Sequence, residues 1–183
     1  MVSLVIGSWG SYNECNERAL GSSWLDLSRF SRWGEIECLL ESEGFELAGI
    51  DQELFIQDIE GLPTSAFNCD YMSPQRLFEV LKASGVLRDK WAFDVLLAFL
   101  EVRTWADFVQ LVEDYGESWA DDVIYHKGAS IEDVARDYFF ERYSREVRDV
   151  LESLEWFIDF EGWARCYLDN CETVSDGVLE FLR

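Results

Sequence analysis

Thirty-seven aspartates and glutamates stand against fifteen lysines and arginines, and this excess of 22 negative charges constrains the fold more than any other feature of the chain. Like charges on a compact body repel one another, so a chain this acidic either stays expanded or buries enough apolar surface to overcome the repulsion. The residues favour the second outcome. Of 183 residues, 49% are hydrophobic and 15% aromatic, with eight Trp and only two Pro. Acidic disordered tails are poor in both classes. At this length folding removes about 70% of the unfolded chain's surface from water. The chain is expected to form a substantial core and to carry its charge outside.

The charge also excludes classes of function. Solubility is served by a net magnitude of about 2–8 on a small domain, so −22 calls for another reason. Nucleic-acid binders draw their affinity from Lys and Arg neutralising phosphates, and anionic membranes attract basic segments, so neither is a favoured partner. A basic protein surface is, and a groove built for DNA is the most basic surface commonly available. Duplex DNA carries about one charge per 1.7 Å of axis, so 22 charges match about 37 Å of it, or about 11 base pairs.

The charge is unevenly spread. Residues 1–72 hold 13 acids and 3 bases (−10), residues 73–112 hold 5 and 5 (zero), and residues 113–183 hold 19 and 7 (−12). Three segments follow, two acidic lobes around a neutral middle. In the first, Ser3–Trp9, Ser22–Leu27 and Glu53–Ile59 have strand character, with Gly10-Ser11-Tyr12-Asn13 as a turn. Arg32–Ser42 has helical spacing and stops before Gly44. In the middle, Ser73-Pro74, Asp89 and the Thr104/Asp107 capping box open three short helices, and Gly85 and Gly116 close two of them. In the last, Val123–His126 and Val178–Leu182 read as strands. Ser130 with Asp133 opens a helix over Ile131–Tyr143, and Ser144 and Asp159 open two more. The fold class is α+β: a small mixed N-terminal domain (1–72), a central helical bundle (73–112) and a mixed C-terminal domain (113–183).

Signs of catalysis are weak. His126, the only histidine, lies in an apolar strand and reads as a packed or edge-strand residue. The five cysteines (Cys15, Cys38, Cys69, Cys166, Cys171) form no CxxC pair and are odd in number, which suits reduced, small buried hydrophobes in a cytoplasm better than disulfides or zinc ligands. Asp169–Asp176 resembles a calcium loop but lacks its alternating ligands and central Gly. No phosphate-binding, nucleophile-elbow or dinucleotide motif is found, and no apolar run approaches the ~18 residues needed to span a bilayer. With 37 acids, close carboxylate pairs arise by chance and specify no acid–base chemistry.

The candidate binding residues are therefore clustered acids: Glu35, Glu37, Glu41, Glu43 and Glu46; then Asp114, Glu117, Asp121 and Asp122; then Glu132, Asp133, Asp137 and Glu141. Asp133, Asp137 and Glu141 recur every four residues and share one helix face, where like charges weaken an isolated helix. Each acid alone fits an ordinary solvated surface, so the case for a binding role rests on their sum.

Ser11-Tyr12-Asn13, Gly21, Trp24-Leu25-Asp26-Leu27 and the block Leu54-Phe55-Ile56-Gln57-Asp58-Ile59-Glu60-Gly61-Leu62-Pro63 resemble the ArdA family of antirestriction proteins. The likeness continues in Ile131–Tyr138 and Ile158–Arg165 and spans nearly the whole chain in order. It implies an elongated three-domain homodimer that needs no cofactor, acts in the cytoplasm, and imitates bent duplex DNA. The implied partner is the DNA-recognition core of type I restriction–modification enzymes, and the implied role is protection of incoming plasmid or transposon DNA. The resemblance places the dimer contact in the last domain, at Val123, Ile124 and Tyr125. Two other readings stay open: an acidic adaptor or chaperone for other basic DNA-binding proteins, and a metal-dependent hydrolase using a carboxylate cluster.

Overall fold

The computed structural model describes residues 1–63 and 72–182; Cys69 lies outside them. The chain forms two units, Met1–Trp119 and Ala120–Arg183, and each carries one small antiparallel sheet with helices packed on it. The class is α+β, as the sequence suggests.

In the first unit, β1 (Ser3–Ser8) is central and β2 (Leu25–Asp26) and β3 (Leu54–Glu60) flank it. Every β1 residue after Ser3 is buried, the pattern of a strand covered on both faces. A register shift between Val5 and Ile6 marks a bulge in the β1–β3 ladder. Of Ser22–Leu27 only Leu25–Asp26 is strand; Leu27 opens a 3-10 turn, and Ser22 donates its N–H to the Ile6 carbonyl ahead of the strand.

Gly10–Asn13 is not a turn. It belongs to α1 (Trp9–Glu14), which the Ser8 hydroxyl caps by accepting from Ser11 N–H at 3.3 Å. Trp9 stacks on Phe55 of β3 at 4.3 Å, and a Cβ on Gly10 would lie 2.0 Å from the Ile50 carbonyl oxygen. The turn-type residues are thus used for close packing inside a helix. Gly61, in the Gln57–Pro63 block, has φ +90°, and a Cβ there would sit 2.1 Å from the Met1 carbonyl oxygen, so only glycine closes that corner.

Helix α2 (Trp33–Ser42) buries Trp33, Ile36 and Leu40 in the core of the first unit. Helices α3 (Pro74–Ala83), α4 (Lys90–Val102) and α5 (Trp105–Tyr115) start where their caps predict. Ser73 accepts from Arg76 N–H, Asp89 from Trp91 N–H, and Thr104 and Asp107 close a full capping box. Their apolar stripes meet in Leu77, Phe78, Phe99 and Phe108, around a fully buried Trp119 whose indole donates to the Ser84 carbonyl at 3.1 Å.

The second unit holds β4 (Val123–Lys127), α6 (Ile131–Glu141), α7 (Arg145–Glu152), α8 (Phe160–Tyr167), β5 (Cys171–Val174) and β6 (Gly177–Phe181). Strand β6 is central, with β4 and β5 outside it. The residues resembling a calcium loop are in fact β5 and the turn into β6. Ser130 and Asp133 form the expected capping box, and Asp159 accepts from Gly162 N–H at 2.8 Å. Ser144 makes no cap hydrogen bond and donates its hydroxyl to Glu146 instead.

The cysteines correct an expectation. Cys15, Cys38 and Cys166 are exposed and Cys171 is only half-buried. On α2 the inward positions are taken by Trp33, Ile36 and Leu40, which leaves Cys38 on the far side. On α8 only Ala164 is buried, so Cys166 faces out.

Candidate partner-binding surface

Among the described residues, Asp51 and Glu180 are the buried acids; the others are exposed or half-exposed. The bases are largely engaged. Arg29 pairs with Asp26, Arg32 with Glu35, Arg76 with Glu113, Arg88 with Glu117, Arg136 with Glu155 and Arg165 with Glu161. Lys82 donates to the Phe30 carbonyl at 3.1 Å. In the charge-neutral middle segment, Arg76 and Arg88 are thus bound to acids that follow it in sequence, Glu113 and Glu117. This leaves many carboxylates facing water without a cation.

The first cluster divides. Glu37 accepts from the Trp33 indole at 2.9 Å, Glu35 from Ser31 N–H at 2.7 Å, and Glu43 from Ser23 N–H at 3.0 Å. These three hold the fold together locally. Glu41 and Glu46 are exposed, with no side-chain partner among the described residues.

In the second cluster, Asp114 accepts from Gln110 at 3.0 Å and Glu117 pairs with Arg88; both belong to the first unit. Asp121, exposed, and Asp122, half-buried, belong to the second.

The third cluster is the cleanest. Glu132, Asp133, Asp137 and Glu141 are all exposed on α6, which turns Val134, Ala135 and Phe140 inward. Asp133 also caps its own helix. Hydrogen bonds from the Ser130 hydroxyl and N–H, at 2.7 and 2.9 Å, hold its carboxyl below the usual aspartate range. One helical turn of separation sets successive acids of the Asp133–Asp137–Glu141 row about 6 Å apart along the axis.

Sequence reasoning passed over Asp58 and Glu60, exposed on the outer strand β3. Their signal was available: Gln57 and Asp58 follow buried Ile56, and Glu60 follows buried Ile59.

Of the residues assigned to a dimer contact, Val123 and Tyr125 point into the core of their own unit, and the Tyr125 hydroxyl donates to the Asp176 carbonyl at 3.0 Å. Ile124 points out, 37% exposed, on the outer strand β4. The same unit exposes a larger apolar face: Val147, Val150 and Leu154 on and after α7, then Trp156 at 96% and Phe157 at 87%.

A second polar centre, unmarked in the sequence, surrounds Glu180. The Tyr138 hydroxyl donates to its Oε2, and His126 Nε2 lies 3.2 Å from the same oxygen. Asn170 Nδ2 approaches Oε1 at 3.4 Å. Burial and the Glu180 carboxylate push the Cys171 thiol up to about 11 and raise the Tyr138 phenol as well. Beside this centre, Arg142 lies over the rings of Trp163 and Tyr167, 4.9 and 5.1 Å from their centroids. Among the described residues no group of three or more His, Cys, Asp or Glu is placed to hold a metal ion, and no helix is long and apolar enough to cross a membrane.

A family model described as antirestriction protein (ArdA) matches residues 4–180. No curated protein and no solved structure matches the chain.

Proposed function

Because the chain belongs to the ArdA family of antirestriction proteins, we propose that it works as a DNA mimic, occupying the DNA-binding groove of a type I restriction–modification enzyme. The observation that carries this reading is the outward placement of unneutralised carboxylates, above all the row Asp133, Asp137 and Glu141 on α6. Phosphates along one DNA strand advance about 3.4 Å per nucleotide. A row of acids spaced about 6 Å apart on a helix therefore offers charge at roughly every second phosphate. Glu41, Glu46, Asp121 and Glu132 widen the field, and Glu35, Glu37, Glu43, Asp114, Glu117 and Asp122 contribute charge from positions already tied into the fold.

Affinity comes from many carboxylates meeting the enzyme's Lys and Arg, with long-range attraction speeding encounter and a stiff scaffold limiting the ordering cost. The protein transforms no substrate and needs no cofactor for this. Blocking restriction in this way shields incoming plasmid or transposon DNA inside the cytoplasm of the recipient cell. The active form is a homodimer, which doubles the length of the charged surface. Its contact is the free edge of β4 at Val123, Ile124 and Tyr125, where backbone groups rather than side chains meet across the two-fold axis. The exposed apolar residues of α7, in the same unit, support a protein contact somewhere on that unit.

The decisive experiment is a competition assay. A labelled duplex bound to a type I methyltransferase core is titrated with the protein, and displacement near equimolar amounts is expected. A duplex that stays bound at low ionic strength would overturn the mimicry and leave the acidic-adaptor reading in its place.

A further inference from the structure

The acidic row on α6 ends at Glu141, and Glu141 is also the rim of a cleft of about 360 Å³. Trp163 and Tyr167 line it as one aromatic surface, their ring centroids 4.9 Å apart and their planes inclined by 31°. Its floor is Glu180, 8% exposed. Tyr138 and His126 both use Oε2 of that carboxylate, whereas among the described residues Oε1 has the long contact from Asn170 alone. A carboxylate oxygen offers two lone-pair sites, so Oε1 retains capacity to accept.

The chain's own Arg142 covers this aromatic surface. Its guanidinium lies over both rings, yet Arg142 is exposed and forms no side-chain hydrogen bond or ion pair among the described residues. It is held by stacking alone, an interaction of modest strength at an exposed site.

We propose that this cleft receives an arginine side chain of the basic partner, which displaces Arg142 from Trp163 and Tyr167 and sets its guanidinium between Glu141 and Glu180. Arginine fits where lysine does not. Its planar group stacks on both rings while its N–H fork reaches two carboxylates, and an ammonium can do only one of these well. An anionic or neutral ligand would meet the two carboxylates without a matching donor set. This anchor would add a fixed point to an otherwise distributed contact, in keeping with the weight that buried Arg, Trp and Tyr carry at interfaces. The inference rests on the reading of the acidic face as a docking surface for a basic enzyme.

The test uses the full-length, nitrogen-labelled protein and two probes at matched ionic strength, N-acetyl-arginine amide and N-acetyl-lysine amide, followed by NMR. The arginine probe should shift the Trp163 indole and Asn170 side-chain signals saturably, and the lysine probe should bind about fivefold more weakly or less. Tyr167→Ala, at an exposed ring, should remove most of the arginine response with the fold retained. Glu141→Gln should weaken it about threefold. Arg142→Lys keeps the charge but stacks less well, so the arginine probe should bind about threefold more tightly. Equal responses to both probes, or shifts spread over α2 and α6 alike, would reduce the cleft to general charge attraction and overturn the inference. So would an Arg142→Lys variant that binds the arginine probe no better. If the protein displaces duplex from the enzyme core but the cleft ignores arginine, the inference fails and the mimicry stands. If the cleft takes arginine but duplex is not displaced, the mimicry is what fails.

Discussion

Asp51 has no part in the proposed partner surface, yet much of the first unit's order passes through it. Its carboxylate is fully buried, accepts from the Ser11 hydroxyl and from Glu46 N–H at 2.8 Å, and lies 3.4 Å from Arg18 Nε. Burial alone would raise its pKa, and it is the largest single influence. Hydrogen bonds from Ser11, Ser8 and the Glu46 backbone, with the Arg18 charge, together outweigh burial and hold the group below the ordinary aspartate value. Asp51→Asn should therefore cost about 2–3 kcal/mol in urea denaturation, below the usual figure for breaking a buried pair because Arg18 is partly exposed. The pH dependence has a definite sign. A carboxyl whose folded pKa lies below its unfolded value contributes fully above the unfolded value, about 3.9, and loses that contribution as pH falls through the folded one. The stability gap between wild type and Asp51→Asn should hold from pH 7 to about 5 and narrow below about 4. A gap that widened in acid would contradict the ionised latch.

At the scale of the helix, α6 combines two uses of its acids that mutation can separate. Asp133 closes the capping box with Ser130, while Asp137 and Glu141 make no such contact. Ser130→Ala and Asp133→Asn should each lower stability by about 1 kcal/mol. Asp137→Asn should raise it by about 0.2–0.5 kcal/mol, because it relieves i,i+4 repulsion. Thermal melts of the three variants check the contrast, and a destabilised Asp137→Asn would show that this acid has a structural partner after all. The same helix shows what was legible in the sequence. Capping pairs such as Thr104/Asp107 and Ser130/Asp133 are local chemistry, so they locate helix starts without tertiary information. Helix α1 was hidden because Gly10 and Ser11 owe their presence to the Ile50 carbonyl and to Asp51, some 40 residues away. Strand β5 was hidden by its brevity, and its two-residue turn, Ser175-Asp176, lacks the Asn-Gly or Asp-Gly pair that announces a tight hairpin. The acidic clusters were legible as a sum, but which members are free was not. Glu37 and Glu43 differ from Glu41 only through Trp33 and Ser23. The Glu180 centre draws Tyr138, His126 and Asn170 from three separated stretches of chain, and no spacing in the sequence announces it.

For the molecule as a whole, a net charge of −22 makes salt act in opposite directions on folding and on binding. Raising the salt from about 0.02 to 0.5 M shortens the Debye length from roughly 20 Å to roughly 4 Å and screens the carboxylates from one another. The melting temperature should therefore rise with salt, while affinity for the enzyme core should fall, since attraction between the acidic face and a basic groove is screened over the same range. A protein held mainly by surface ion pairs would show the opposite trend in stability. The distributed contact has its own signature. A single exposed substitution such as Glu41→Gln should weaken inhibition about twofold, and ten together, at about 0.3–0.5 kcal/mol each, should cost two to three orders of magnitude. The salt dependence of binding should flatten in step with the charges removed, because each lost carboxylate also removes part of the screened attraction. If Glu41→Gln alone abolished inhibition in a protein that still melted cooperatively, the charge field would be incidental and a discrete site on α2 would have to replace it.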